Sequence, residues 1–120
     1  MEKQIEIYKS SDNKIELNVN LGSDTVWLNR HQLAILFDRD IKTIGKHINT
    51  IFEEEELVFE ATVAKFATVQ TEGNRQIKRD IEYYNLDVII SVGYRVKPKQ
   101  GTQFRQWATQ RLKNNIKLMV

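Results

Sequence analysis

The stretch NRHQLAILFDRDIKTIGKHINTIF, residues 29–52, has the pattern of two short helices joined by a tight polar turn. Asn29 is placed to cap the first helix, and Gln32 stands three residues later, as in a capping box. Asp40 is placed to cap the second helix. The stretch therefore predicts a helix-turn-helix, around which the rest of the chain is arranged.

Each predicted helix has one apolar face. In the first helix, the apolar residues at helical spacing are Leu33, Leu36 and Phe37. In the second, those at steps of three and four are Ile41, Ile44, Ile48, Ile51 and Phe52. Lys42, Lys46 and Asn49 then fall on another side of the second helix. One side should pack against the core, and the other is available to an anionic partner.

Three residues depart from the usual pattern of such a motif. Asp38 stands where glycine commonly makes the turn, although aspartate tolerates the left-handed region better than most residues. Arg39 stands where an apolar residue would often pack. Gly45 costs about 1 kcal/mol relative to alanine inside a helix, so we expect a close approach there. Either a phosphate or base edge, or a neighbouring helix, would account for it.

Alternating apolar residues predict strands on both sides of the helix pair. Before it, those expected on the buried face are Ile5, Ile7, Ile15, Leu17, Val19 and Leu21, followed by a short apolar strand at residues 26–28. After it, residues 63–71 and 75–84 flank a Glu-Gly-Asn turn. The pattern therefore predicts a small β-meander and a wing-like β-hairpin.

The last third of the chain predicts two helices. Asn85 is placed to cap the first, and Gly93 to end it. Residues 97–101 should form a basic loop, because Pro98 disfavours a helical conformation at the residue before it. Beyond the loop, a helical stripe is formed by Phe104, Trp107, Ala108, Arg111, Leu112 and Ile116. We expect Trp107 in the core rather than as a platform for base stacking.

Together, these elements predict an α+β fold in a single domain, residues 1–120. Its parts in chain order are the β-meander, the helix-turn-helix, the β-hairpin and two C-terminal helices. The chain is 41% hydrophobic and 28% charged, and no apolar run approaches the ~20 residues needed to span a bilayer. It contains no cysteine. We expect a cytoplasmic protein without a membrane segment.

The net charge of +2 is unevenly distributed. Residues 53–60 hold five glutamates and no base, whereas residues 93–120 hold seven lysines and arginines and no acid. The helix pair has four lysines and arginines against two aspartates. If the chain binds nucleic acid, we expect the helix pair to select the site and the C-terminal segment to supply most of the attraction.

A helix that enters the major groove reads bases mainly from its first turns, so Lys42, Thr43 and Lys46 are candidates for base or phosphate contacts. Arg30 suits a backbone contact, while Arg75 and Lys78 near the hairpin tip either reach phosphate or simply face solvent. The complete set of candidate DNA-binding residues is Arg30, Arg39, Lys42, Thr43, Lys46, Asn49, Arg75, Lys78, Arg95, Lys97, Lys99 and Arg105.

The sequence offers no constellation for catalysis or for a metal. His31 and His47 lie sixteen residues apart and form no HExxH pattern, and no GxSxG motif or phosphate-binding glycine loop is present. Four consecutive glutamates, residues 53–56, point in different directions on a helix, so a solvated helix end is favoured over a cation site. We therefore predict a protein that is not an enzyme and has no cofactor.

The run YYNLDVIISVGYRVKPKQGTQFRQWATQRL, residues 83–112, closely resembles the signature of the RhuM family of bacterial virulence-associated proteins. Residues 26–37, 45–57 and 63–77 are similar to preceding blocks of that family. The chain is also distantly similar to the DNA-binding modules of phage antirepressors of the KilA-N and Bro types. The resemblance implies a DNA-binding or regulatory protein without established enzymatic activity, of which this chain is the N-terminal domain.

The first hypothesis is a domain that binds double-stranded DNA through the helix-turn-helix, with backbone contacts from the basic C-terminal segment. The alternative is an antirepressor-type module that binds a protein partner and no DNA. A homodimer is compatible with the first, because helix-turn-helix proteins often pair to read two half-sites.

Overall fold

The computed structural model describes the backbone of residues 4–118 and the side chains of residues 4–114. Five strands and five helices follow one another in these residues. In chain order they are β1 (Gln4–Lys9), β2 (Glu16–Leu21), β3 (Val26–Asn29), α1 (Arg30–Phe37), α2 (Ile41–Glu53), α3 (Phe59–Thr62), β4 (Val63–Glu72), β5 (Arg75–Tyr84), α4 (Leu86–Val96) and α5 (Pro98–Leu118). The predicted α+β class is confirmed, and the predicted strands and helices occur in the predicted order, with α3 as an additional short helix.

The strands form one antiparallel sheet in the order β1-β2-β3-β5-β4. Its pairing register places Leu17, Val19, Leu28 and Tyr84 on one face, where they join helix residues in a common hydrophobic core. The hairpin reaches β3 through only two residue pairs at its base. It therefore extends from the body of the sheet, with its outer part paired only within itself.

The predicted buried face of β1 is wrong. Ile5 and Ile7 are each 55% exposed, whereas Tyr8 is only 3% exposed. Tyr8 pairs with the buried Leu17 across the ladder and makes edge-to-face contacts with Phe104 and Trp107, at centroid distances of 5.1 and 5.2 Å. Because side chains alternate along a strand, burying the tyrosine turns both isoleucines outward.

The predicted hairpin is confirmed over nearly its full length. Ten consecutive residue pairs run from Val63 opposite Tyr84 to Glu72 opposite Arg75. Only Gly73 and Asn74 lie between the strands, and Gly73 has a φ of 63°. That conformation costs glycine little, which explains its place in so tight a turn.

Two predictions about α4 and α5 are wrong: the end of α4 at Gly93, and the basic loop around Pro98. Gly93 does not end α4, which continues to Val96. It is buried, and a Cβ there would lie 2.8 Å from Phe37 Cζ and 3.0 Å from the Cα of Gly101. The two glycines thus let α4 and α5 approach each other closely. The predicted basic loop shrinks to Lys97, because Pro98 begins α5 at the position where a helix tolerates proline.

The apolar stripe of α5 faces the core as predicted. Phe104 and Ala108 are fully buried, and Trp107 and Leu112 pack against them. Ile116, also predicted on the stripe, lies outside the residues whose side chains are described. Within residues 4–118, the helices are too short or too polar to cross a bilayer.

Candidate nucleic-acid interface

The helix pair is held by the caps that the sequence predicts. The Asn29 side chain accepts a hydrogen bond from the Gln32 backbone, and the Gln32 side chain accepts one from the Asn29 backbone, which completes a capping box. Asp40 accepts from both the backbone and the hydroxyl of Thr43. These hydrogen bonds keep the pKa of Asp40 below its usual range, the hydroxyl contributing most. Asp40 is therefore a charged cap at the positive end of α2.

Asp38 makes the turn between the two helices. It takes the left-handed conformation, with φ 50° and ψ 53°, and its backbone N–H donates to the carbonyls of the last turn of α1. Aspartate thus occupies a conformation that glycine would adopt at lower cost. The turn stays tight despite the unusual residue, and it aims α2 across α1.

α2 has one buried and one exposed side. Its buried residues are Ile44, Gly45, Ile48 and Ile51. Lys42, Lys46 and Asn49 are exposed, and within the described residues their side-chain polar groups have no hydrogen-bond or ion-pair partner. The Thr43 hydroxyl is engaged by Asp40, so only its methyl group is available for a contact. The exposed side therefore presents two unpaired ammonium groups and an amide from one rigid element.

Arg30 explains the glycine inside α2. A Cβ at Gly45 would lie 3.1 Å from Arg30 Nη1, and the same guanidinium donates from Nη2 to the Tyr84 hydroxyl at 3.3 Å. The close approach expected at Gly45 is therefore made by an arginine side chain, and neither of the two expected occupants is required. Arg30 remains half-exposed, and its contact with a phosphate stays a prediction.

The C-terminal end of α2 is tied to α4. Arg95 Nη2 lies 3.2 Å from Glu54 Oε2 and 3.0 Å from Glu56 Oε1. Hydrogen bonding from Ser91, and then from Arg95, lowers the pKa of Glu56. Glu54 and Glu56 thus anchor the C-terminal end of α2 to α4, so this part of the glutamate run is not simply a solvated helix end. Arg95, a candidate for DNA contact, has its charge already balanced.

The opposite end of the helix pair is tied to the junction of α4 and α5. Arg39 Nη2 donates to the carbonyl of Val96 at 3.2 Å, and Lys97 Nζ lies 3.8 Å from Asp38 Oδ2. Both cations line a crevice of about 780 Å³ beside Ile41, the first residue of α2. Lys97 therefore lies near the start of α2, as the predicted cooperation with the C-terminal segment requires.

The hairpin flanks the same end of α2. Gln70 and Asp80 line a crevice of about 370 Å³ together with Arg30, His31 and Ile41, which connects the hairpin with the start of both helices. Arg75 and Lys78 at its tip are exposed and unpaired within the described chain, while Arg79 forms a 2.9 Å ion pair with Glu72. The geometry is that of a helix with an extended ribbon beside it.

Lys99 and Arg105 are exposed on α5 and make no ion pair among the described residues. α5 packs mainly on α4 and also on α1. The twelve candidates thus divide into three groups. The α2 face carries Lys42, Thr43, Lys46 and Asn49, the hairpin tip carries Arg75 and Lys78, and the α4–α5 region carries Arg95, Lys97, Lys99 and Arg105, with Arg39 bound to the carbonyl of Val96 beside it. Arg30, at the start of α1, lies between the α2 face and the hairpin.

Sequence reasoning missed the long-range partners of these residues. Arg30 with Tyr84, and Arg95 with two glutamates, are separated by some forty residues or more along the chain. An unexplained glycine and an unusually dense glutamate run were the only signals. Residues 4–118 contain no group of three or more histidines, aspartates or glutamates arranged to hold a metal.

The chain is an α+β protein in which an antiparallel sheet carries a helix pair and an extended hairpin. Residues 61–118 match the model of the Virulence protein RhuM family, so this part of the chain is similar to that family. The match covers the hairpin, α4 and α5, and leaves α1 and α2 outside it. Searches among curated proteins and among solved structures gave no match. The similarity to KilA-N and Bro-type modules stays a prediction.

Proposed function

We propose that the chain is a winged helix-turn-helix domain that binds double-stranded DNA through the exposed side of α2. The observation that carries this proposal is the pair of unpaired lysines with Asn49 on a helix fixed at both ends. A helix of this kind can enter the major groove, where lysine donates to guanine acceptors and asparagine pairs with adenine. The hairpin beside it is suited to contact the flanking backbone.

The charges of the remaining surface also favour DNA on the exposed side of α2, with the hairpin against the flanking backbone. Glu54 and Glu56 are engaged by Arg95 at the far end of α2, so they oppose the approach of phosphate less than free carboxylates would. Lys97 and Lys99 extend the positive potential from the start of α2 onto α5. Asp80 and Glu82 line the crevice between the hairpin and the helices, so the DNA backbone would follow the hairpin tip rather than enter that crevice.

Titration of the chain against random-sequence duplex DNA at two salt concentrations tests the proposal. Affinity should fall with salt, because each neutralised phosphate releases counterions. Lys42→Ala with Lys46→Ala should reduce the slope of log affinity against log salt by about two. The matched control, Lys9→Ala with Lys113→Ala, removes the same charge from β1 and α5 and should change the slope much less.

Two results would reject the proposal: no binding at low salt, or equal losses in the two double variants. The same titration with Mg²⁺ present also tests the expected lack of catalysis, since the duplex should remain uncut. If the wild-type chain binds, selection of binding sites from random duplexes would identify the sequence it prefers.

A further inference from the structure

We propose that the free edge of β1, with the groove between β1 and α5, binds an extended acidic segment of a partner protein, which adds to the sheet as a further strand. This surface lies on different elements from the exposed side of α2. The proposal therefore stands or falls independently of DNA binding.

The edge of β1 has backbone groups available for pairing. In the part of the chain that the structure describes, β1 is the outermost strand of the sheet and pairs with β2 alone. Its other edge is open there. The Ser10 N–H donates to the Ile15 carbonyl at 2.9 Å, in register with the β1–β2 ladder. Hydrogen-bonded pairs alternate in an antiparallel ladder, so Ile5, Ile7 and Lys9 turn their N–H and C=O groups to the open edge.

A groove runs beside this edge. It has a volume of about 390 Å³ and is lined by Tyr8, Lys9, Ser11, Gln103, Gln106 and Trp107. Tyr8 and Trp107 supply an aromatic wall, and the two glutamines supply amide donors and acceptors. An edge strand with a helix alongside is an arrangement in which an added strand gains main-chain hydrogen bonds and pockets for alternate side chains.

The charge of the groove selects an acidic strand. Along α5, residues at steps of three and four on the same side as the groove are Lys99, Gln103, Gln106, Gln110 and Lys113. α5 contains no aspartate or glutamate. Glu6, the nearby acid on β1, lies 3.8 Å from Arg111, whose guanidinium stands 5.5 Å from the Trp107 ring centre. Acidic side chains of an added strand would therefore meet cations and amides.

The other side of the added strand would meet a different surface. Ile5 and Ile7 are 55% exposed on the face of the sheet opposite the core. Because successive side chains of a strand point to opposite faces, the best ligand alternates acidic residues toward α5 with apolar residues beside the two isoleucines. That pattern is a specific chemical signature for the partner.

A second copy of the chain fits the edge less well. Two β1 strands paired about a two-fold axis would bring the two α5 helices together, each with a basic, acid-free side. Like charges would then face each other across the axis. Nucleic acid would meet the charge of α5 but offers no peptide backbone to pair with the edge. A strand of an acidic protein satisfies both requirements.

Fluorescence anisotropy with a labelled nine-residue peptide of alternating valine and glutamate tests the proposal on the full chain. We expect saturable binding, with much weaker binding of the valine–lysine peptide and of a valine–glutamate peptide N-methylated at alternate residues. Ile7→Pro should weaken binding about tenfold, because it removes an outward N–H and no bond to β2. Ile7→Val, which keeps that N–H, should bind as the wild type does.

Gln106→Glu with Lys113→Glu is a second variant that leaves the backbone of β1 unchanged, and it too should weaken binding about tenfold, because it places carboxylates on the side of α5 that faces the groove. Circular dichroism would establish that both variants keep the fold. The proposal is overturned if the acidic peptide does not bind, if the lysine or N-methylated peptide binds equally well, or if folded Ile7→Pro binds like Ile7→Val. It is also overturned if the chain alone forms a dimer that Ile7→Pro dissociates.

Discussion

Arg30 lies over Gly45, with Nη1 3.1 Å from the position that a Cβ of residue 45 would occupy. The contact joins the first residue of α1 to the middle of α2, and the hydrogen bond to Tyr84 extends it to the sheet. A side chain that reaches across the helix pair thus sets how closely the two helices approach near the end that faces the hairpin.

The two helical glycines should respond to alanine in opposite ways. At Gly45 the obstacle is the end of a flexible, half-exposed arginine, which can move by a few tenths of an ångström. Gly45→Ala should therefore raise the free energy of unfolding by up to about 1 kcal/mol through helix propensity. At Gly93 the added methyl group would meet the Phe37 ring and the Gly101 backbone. Gly93→Ala should therefore lower the free energy of unfolding by about 1–3 kcal/mol. Urea denaturation measures both values, and destabilisation by Gly45→Ala would show that Arg30 cannot yield.

The left-handed conformation of Asp38 predicts a difference between two substitutions. Asp38→Gly and Asp38→Val both remove the contact with Lys97, so this loss cancels when they are compared. Glycine adopts the left-handed region freely and valine does not, so the glycine variant should be more stable by about 1–2 kcal/mol. Thermal denaturation of the two variants side by side provides the measurement. Equal stabilities would mean that the turn can be made by another conformation.

The anchor between α2 and α4 should weaken in acid. The pKa of Glu56 is lower in the folded chain than its ordinary value of 4.5, so its contribution to stability is full above that value and is lost as the pH falls through the folded pKa. Arg95 keeps its charge throughout. Glu56→Gln should therefore have a lower melting temperature than the wild type at pH 7, and the difference should shrink toward pH 3.

Glu55→Gln is the matched control for this experiment. Glu55 lies next to the anchor and, among the described residues, makes no side-chain hydrogen bond or ion pair. The Glu55→Gln variant should have the same melting temperature as the wild type both at pH 7 and near pH 3. A Glu56→Gln difference that stays constant with pH would show that the carboxylate does not act through its charge.

The hairpin tip should contribute to DNA affinity without selecting a sequence. Arg75→Ala with Lys78→Ala should weaken binding to unrelated duplexes to a similar degree and lower the salt slope by about two. Arg79→Ala removes a cation from the same hairpin that is already paired with Glu72, so it should cost less affinity. Unequal losses on different duplexes would assign base reading to the hairpin.

The fold was predictable wherever a signal is local. The caps at Asn29 and Asp40, the glycine of the hairpin turn and the spacing of apolar residues on α2 all act within a few residues, and each is confirmed. β1 was harder because its sequence, QIEIYK, offers apolar side chains to both faces. Only the aromatic residues of α5, about a hundred residues away, decide that Tyr8 turns inward.

The candidate site was predictable only in part for the same reason. The exposed side of α2 follows from helical spacing alone, and the structure places Lys42, Lys46 and Asn49 there. Which of the remaining cations are already paired depends on contacts between distant elements. Spacing along the chain does not reveal that Arg95 meets Glu54 and Glu56, or that Gly93 packs on Gly101.

The division of α2 into a packed and an open side also bears on how this domain could be redesigned. Lys42, Lys46 and Asn49 add nothing to the hydrophobic core, and the caps and anchors of the helix use other residues. Under the proposed function, these three positions could be randomised as a library while the scaffold stays constant. New target preferences would then be selected by exchanging three side chains, with little penalty in folding.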